Sequence, residues 1–211
     1  MCDDDGRRAT TADRTLFRRV TFKSPTTHQF LHRTELASLL HAISFAANKH
    51  RDQRRKGSDK APYINHPIQV ATLLAEYGGI TDVAVLQAAI LHDTIEDTQT
   101  TAADLEREFS ADIAALVLEM TDDKSLPSAE RKRRQMERAP GLSPRAKCIK
   151  LADKIANVGD IGSQPPLDWS LERRRAYFTW TAAVIEGCRG VNEGLERRYD
   201  EVLIEARRLT H

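Results

Sequence analysis

The sequence is poor in cysteine. Its three cysteines, Cys2, Cys148 and Cys188, are odd in number and form no CxxC pair, which argues against a disulfide framework and a zinc ribbon and points to a reducing, cytoplasmic setting. An excess of charge of one sign is also missing. Thirty-two basic residues stand against 31 acidic ones, for a formal charge of +1, so no net field favours nucleic acid or an anionic membrane as partner. Long apolar runs are lacking as well. The longest stretch without a charged residue runs from Ala61 to Ala75 and contains two prolines, short of the roughly 20 apolar residues of a spanning helix. The opening residues MCDDDGRR place acids where an export signal needs positive charge, and no apolar segment follows them.

Two-residue apolar alternation is missing too, and no internal repeat is visible. Helical spacing is abundant, so the reading is an all-α, single helical domain. At 211 residues the chain is long enough to bury a core without staples. Residues 1–31 carry scattered apolar side chains and a Ser24-Pro25 break, which reads as a mobile N-terminal extension; residues 32–211 read as the domain. Leu36, Leu39, Leu40, Ile43 and Ala47 predict a helix capped by Thr34 and ending near His50. A basic loop follows, RDQRRKGSDKAPYINHP. A second helix opens at His66-Pro67 with Asn65 as its cap and stops at Gly78-Gly79. Asp82 caps a third, from Val83 to about His92, apolar almost all round and therefore central.

Further helices are expected from Thr101, over 111–120, and over the strongly basic stretch 127–138. Ser143-Pro144 is a cap followed by a first-turn proline. It introduces the inward spacing Ile149, Ala152, Ile155 and Ala156. Two long helices, about 170–188 and 191–208, close the chain.

The third helix ends in His92-Asp93-Thr94-Ile95-Glu96-Asp97, four titratable groups in six residues. An imidazole beside a carboxylate suits a borderline or hard divalent cation. Two such ligands are too few to hold a catalytic metal. Two further positions qualify: His66 at a helix start, and Asp153, an acid in an otherwise inward-facing apolar run. Each also has a plainer reading. Asp153 could be a buried acid paired with Lys150 or Lys154, and His66 could bond a backbone carbonyl. Glu96-Asp97 could be a solvated helix end, His50 suits a helix C-terminus, and His41 suits helix packing.

The order His66, His92-Asp93, Asp153 is similar to the H…HD…D signature of HD-domain metal-dependent phosphohydrolases. The strings Ala61-Pro62-Tyr63-Ile64-Asn65-His66-Pro67, Leu91 to Thr98, Thr121-Asp122-Asp123-Lys124 and Lys150-Leu151-Ala152-Asp153-Lys154 resemble the hydrolase domain of the RelA/SpoT family, in particular its stand-alone small alarmone hydrolases. That resemblance covers about residues 36–208. It implies the HD fold with its metal site in the core, and one Mn²⁺ held by His66, His92, Asp93 and Asp153. The implied activity is removal of the 3′-pyrophosphate from guanosine tetra- or pentaphosphate, giving GDP or GTP plus pyrophosphate. Glu96 and Asp97 match the family's proton-handling pair.

Arg55 and Lys56 match its basic loop, which meets the base or a phosphate; Asn157 matches a residue near the ribose, and Tyr177 an aromatic near the nucleotide. The local chemistry agrees, since a six-coordinate ion with four protein ligands has room for water and a phosphate oxygen, and Arg and Lys clamp phosphates. One departure stands out. Animal relatives carry a phosphate-reaching lysine where this chain has Ser128, with Lys124 or Arg131 as substitutes at hand. The alternatives are NADPH 2′-phosphatase activity in the same site, or a nucleotide-binding HD module without turnover. The expected partner is a small nucleotide; the oligomeric state is left open.

Overall fold

The computed structural model describes residues 27–57 and 59–210, with side chains from Thr34 onward. Among these residues regular structure is helical throughout, and the one extended pairing is an isolated bridge between Arg54 and Pro62. Ten α-helices follow in order: α1 (Thr27–Lys49), α2 (Asn65–Glu76), α3 (Val83–Leu91), α4 (Thr94–Asp97), α5 (Ala102–Glu108), α6 (Ala111–Met120), α7 (Ser128–Arg138), α8 (Pro144–Ser163), α9 (Leu171–Glu186) and α10 (Glu193–Arg208). A short 3₁₀ turn, Ala139–Gly141, joins α7 to the loop before α8.

Two helices form the centre. In α3 every residue from Gln87 to Leu91 is buried, and the helix packs on α1, α2 and α6. Helix α8 is buried from Cys148 through Ala156 and packs on α10, α2, α9 and α6. Leu91, Ile149 and Leu151 have no exposed surface, and each such side chain contributes ~1.5–3 kcal/mol by leaving water. A helix buried on all sides can carry a polar side chain only into a partner or a site, which is why Asp153 in α8 matters.

Helix ends follow the expected chemistry at most positions. Asp82 accepts from Ala84 N–H, Ser110 from Ile113, and Ser143 from Ala146 with proline in the first turn. Thr101 and Asp104 form a reciprocal capping box. After α2 the chain leaves through Gly78 and Gly79, the latter at φ +62°, a left-handed conformation that glycine adopts without strain.

Two expectations are corrected and one element is added. Helix α1 begins at Thr27 rather than at a Thr34 cap, because nothing between Pro25 and Thr34 breaks a helix. The last five residues of the expected extension, 27–31, are therefore helical; the rest of it lies outside the described residues. Asn65 does not cap α2. The cap position is Ile64, already helical, and the chain enters through a turn in which Asn65 N–H donates to Pro62 O and His66 N–H to Tyr63 O. Finally, Thr94–Asp97 is a helical turn of its own, α4.

Candidate active site

Three helices deliver the polar cluster. His66 sits in the first turn of α2, His92 at the C-terminal end of α3, and Asp153 midway along α8; all three are buried. Their donor atoms lie within 4.8 Å of one another. His66 Nε2 is 3.2 Å from Asp153 Oδ1, and His92 Nε2 is 3.8 Å from the same atom. Asp93, next in chain to His92, places Oδ2 3.1 Å from His92 Nε2 and 3.8 Å from His66 Nε2. The four expected ligands thus converge, with Asp93 outside the tightest trio.

Neighbouring side chains hold these groups in orientation. His92 Nδ1 lies 2.7 Å from Ala89 O and donates to it, which turns Nε2 toward the carboxylates. That Nε2 is buried and has no hydrogen-bond partner. Tyr63 OH donates to Asp93 Oδ2 at 2.6 Å. Asn157 Nδ2 donates to Asp153 Oδ1 at 2.6 Å, and Lys154 Nζ to its Oδ2 at 3.1 Å. This is the arrangement that fixes metal ligands from behind. Asp153 therefore does both things open to it: it pairs with Lys154 and faces the two histidines.

The buried histidines and Lys154 stabilise the ionised form of both carboxylates. Burial opposes ionisation of Asp93, but His92 outweighs it and holds the carboxyl well below its usual range. Asp153 is held low against burial by Lys154 and both histidines. Burial pushes His66 down. His92 is instead lifted to about 9, Asp93 and Asp153 overcoming its burial. Two carboxylates and two imidazole nitrogens facing one another fit a divalent cation of borderline or hard character.

Glu96 and Asp97, on α4, stand beside this cluster. Glu96 Oε2 accepts from Asp122 N–H at 3.1 Å, and Oε1 lies 3.7 Å from Arg131 Nη1. Burial and nearby carboxylates raise its proton affinity. Asp97 accepts from Gln53 Nε2 at 2.6 Å through Oδ2 and from Lys124 through Oδ1.

A cavity of about 450 Å³ opens in front of these groups, with Asp93, Glu96 and Asp97 on one wall and Arg55, Lys56, Lys124 and Arg131 around them. A second space of about 330 Å³ continues from it past Lys56 and Arg131 to Lys132 and Arg173. The basic loop after α1 and the basic helix α7, far apart in sequence, therefore face the same space. Only part of α7 does so: Arg133 and Arg134 pair with Glu130 on the exposed side, where such pairs contribute little.

The substrate-binding candidates divide. Lys56 lines both spaces and is exposed. Tyr177 forms an aromatic wall with Trp169 and Trp180, at ring-centroid distances of 5.5 and 5.3 Å. Arg55 is already engaged, donating to Asn157 Oδ1 at 2.9 Å and Asp160 Oδ2 at 2.7 Å. Asn157 thereby has its oxygen on Arg55 and its nitrogen on Asp153. Ser128 lines the second space, as do Arg131 and Lys132, so cationic side chains surround the position of the missing lysine.

Gln53, Tyr63 and Trp169 were not singled out from sequence, and Lys154 only as a possible partner of Asp153. The only signal was local: Tyr63 lies in the same short string as His66, and Lys154 is adjacent to Asp153. His50, assigned to a helix end, directly follows α1 and is also buried against Tyr63, with ring centroids 4.9 Å apart. His41 packs on Phe109 as expected.

Comparison with known proteins agrees with this geometry. An HD-domain family model matches residues 42–176. The chain is 52% identical over 177 residues to the mouse guanosine-3′,5′-bis(diphosphate) 3′-pyrophosphohydrolase MESH1, covering 84% of this chain and 98% of that protein. The human protein of the same name is 54% identical over 163 residues, covering 77% and 91%. Among solved structures, a metazoan SpoT ortholog described as hydrolysing ppGpp aligns with a TM-score of 0.78 at 47% identity, covering 80% of this chain and 95% of that one.

Proposed function

Because the chain belongs to the HD-domain family, and within it to the MESH1-type guanosine-3′,5′-bis(diphosphate) 3′-pyrophosphohydrolases, we propose that it is a metal-dependent hydrolase that removes the 3′-pyrophosphate of ppGpp and pppGpp. The observation that carries this reading is the buried trio His66, His92 and Asp153, donor atoms within 4.8 Å, opening onto a cavity ringed by Arg55, Lys56, Lys124 and Arg131.

The residues divide the work. His66, His92, Asp93 and Asp153 would hold one Mn²⁺, which when bound would supply Lewis-acid polarisation of a phosphate oxygen and lower the pKa of a water. Glu96, with its raised proton affinity, and Asp97 orient and deprotonate the attacking water. They return a proton to the ribose 3′ oxygen as its bond to phosphorus breaks. Lys56, Lys124 and Arg131 neutralise the phosphates, and Tyr177 stacks near the nucleotide. Arg55 and Asn157 brace Asp153 and shape the nucleotide side of the cavity. A cytoplasmic setting is part of this reading, as Cys148 and Cys188 are buried free thiols.

Purified protein with Mn²⁺ is expected to release pyrophosphate and GDP from ppGpp, read by ion-exchange chromatography. Asp97→Asn is expected to lower kcat by ~10²–10⁴-fold while still binding Mn²⁺ and ppGpp. Two results overturn the proposal: phosphate release from NADPH with no pyrophosphate from ppGpp, or tight ppGpp binding by the wild type without turnover.

A further inference from the structure

We infer that His50 and Gln53 form a positioning relay that sets the orientation of the Asp97 carboxylate. The inference rests on the reading of Asp97 as a proton-handling group of the hydrolase site. His50 follows the last residue of α1 and is 2% exposed. Its backbone N–H continues the helix to Ala46 O at 2.9 Å, and its ring lies against Tyr63 at 4.9 Å and 32°. Its Nδ1 is 2.6 Å from Gln53 Oε1.

A carboxamide oxygen only accepts, so Nδ1 carries the proton and donates. His50 Nε2 is buried and has no hydrogen-bond partner among the described residues, so Nδ1 is the ring nitrogen that bonds.

The direction of this bond fixes the next one. With Oε1 turned to His50, the Gln53 amide must present Nε2 to Asp97, and it donates to Oδ2 at 2.6 Å. A flipped amide would set an NH₂ against the His50 N–H and an oxygen against a carboxylate, so His50 selects the productive orientation. The Gln53 backbone is anchored as well: its N–H donates to His50 O at 2.9 Å and its carbonyl accepts from Tyr63 N–H at 3.1 Å. The other Asp97 oxygen is met by Lys124, whose side chain is 48% exposed. Gln53 is therefore the rigid partner of Asp97 and Lys124 the mobile one. His50 and Gln53 make no hydrogen bond to the metal ligands' donor atoms; Gln53 borders the cavity, but its amide is committed to His50 and Asp97, so both residues act through Asp97.

Misorienting a catalytic group by about 1 Å costs on the order of 10²-fold in rate. Gln53→Leu, which keeps the volume and removes the donor, should lower kcat by about that factor, with KM for ppGpp and Mn²⁺ affinity within a few-fold of wild type. His50→Phe keeps the ring against Tyr63 and loses the donor, so kcat should fall. His50→Asn, whose amide nitrogen stands near the position of Nδ1, should recover most of the loss. Because His50 acts through Gln53, His50→Phe should add nothing in the Gln53→Leu background.

Histidine ring ¹⁵N NMR of the substrate-free protein should report a protonated Nδ1 at His50. An Nε2-protonated His50, full turnover in Gln53→Leu, or additive losses in the double variant would overturn the relay. A wild type inert toward ppGpp would instead overturn the hydrolase reading, and the NMR signal would still decide the hydrogen-bonded geometry.

Discussion

Single residues at this site carry more than one duty, and Asp153 carries the most. It faces His66 and His92, accepts from Asn157, and pairs with Lys154, whose ammonium lies 4.7 Å from the centre of the Trp180 ring. The same enclosure acts on Tyr177. Burial pushes its hydroxyl up to about 12, aided by Asp153 and opposed by Lys154 and Arg55. A tyrosine whose folded pKa exceeds the unfolded value near 10 contributes stability that is complete below about pH 10 and is lost as pH rises toward about 12. The urea midpoint of the wild type should therefore fall between pH 9 and 11.5 more steeply than that of Tyr177→Phe. The difference should approach ~1.4 kcal/mol per pH unit at most; equal slopes would show that the phenol is free to ionise. Residues of this kind were only partly legible in the sequence. His92, Asp93 and Asp153 stood out as polar groups at the end of or within apolar helical runs, and His66 through its place before Pro67 at a helix start. Gln53 could not be found, since its partner Asp97 is 44 residues away. Nor could the engagement of Arg55 with Asn157, 102 residues on, which ties the expected substrate-binding arginine to the residues that hold Asp153.

At the level of elements, α8 is the axis of the molecule, and its two glycines make a sharp comparison. A Cβ at Gly162 would stand 2.9 Å from Ala206 Cβ and 3.0 Å from its Cα, so α10 approaches there because no side chain intervenes. A Cβ at Gly159 would meet only Val202 Cγ1 at 3.7 Å, an ordinary contact. The same substitution should have opposite signs. Gly159→Ala should stabilise by ~0.5–1 kcal/mol through helix propensity and a less disordered unfolded chain. Gly162→Ala should destabilise by ~1–3 kcal/mol because the helix pair must separate. Denaturant midpoints decide it, and equal effects would refute the close-approach argument. The start of α8 was readable in advance because Ser143-Pro144 is a local signal that the fold leaves intact. The start of α1 was not: a threonine before an apolar run looks like a cap, but a helix that meets no breaker continues to the next one. The entry to α2 was misread for a related reason, a preceding backbone turn having taken the place of the expected Asn65 side chain.

Across the whole molecule, the near-zero net charge is a sum over segregated parts. The basic loop after α1 and the inward side of α7 converge on a space whose floor is acidic, which is what a polyanionic substrate held over a cation requires. The acidic floor is also where the chain closes on itself. The proposed ligands come from α2, the end of α3, and α8, so an ion bound there would cross-link segments that an unfolded chain holds far apart. Such an ion binds the folded state almost exclusively, and its binding free energy becomes folding free energy. Free Mn²⁺ at about 100 times its dissociation constant should therefore add ~2.7 kcal/mol of stability. For a domain of this size that raises Tm by roughly 5–10 °C, at about 2–4 °C per kcal/mol. Chelation with EDTA should reverse the shift. Asp153→Asn, which removes the ligand shared by both histidines, should abolish it, whereas Gly159→Ala should leave it unchanged because it alters the helix and not the ligands. A Tm indifferent to Mn²⁺ in the wild type, by calorimetry at fixed pH, would mean that the three helices are held by packing alone and that the buried trio is not a metal site.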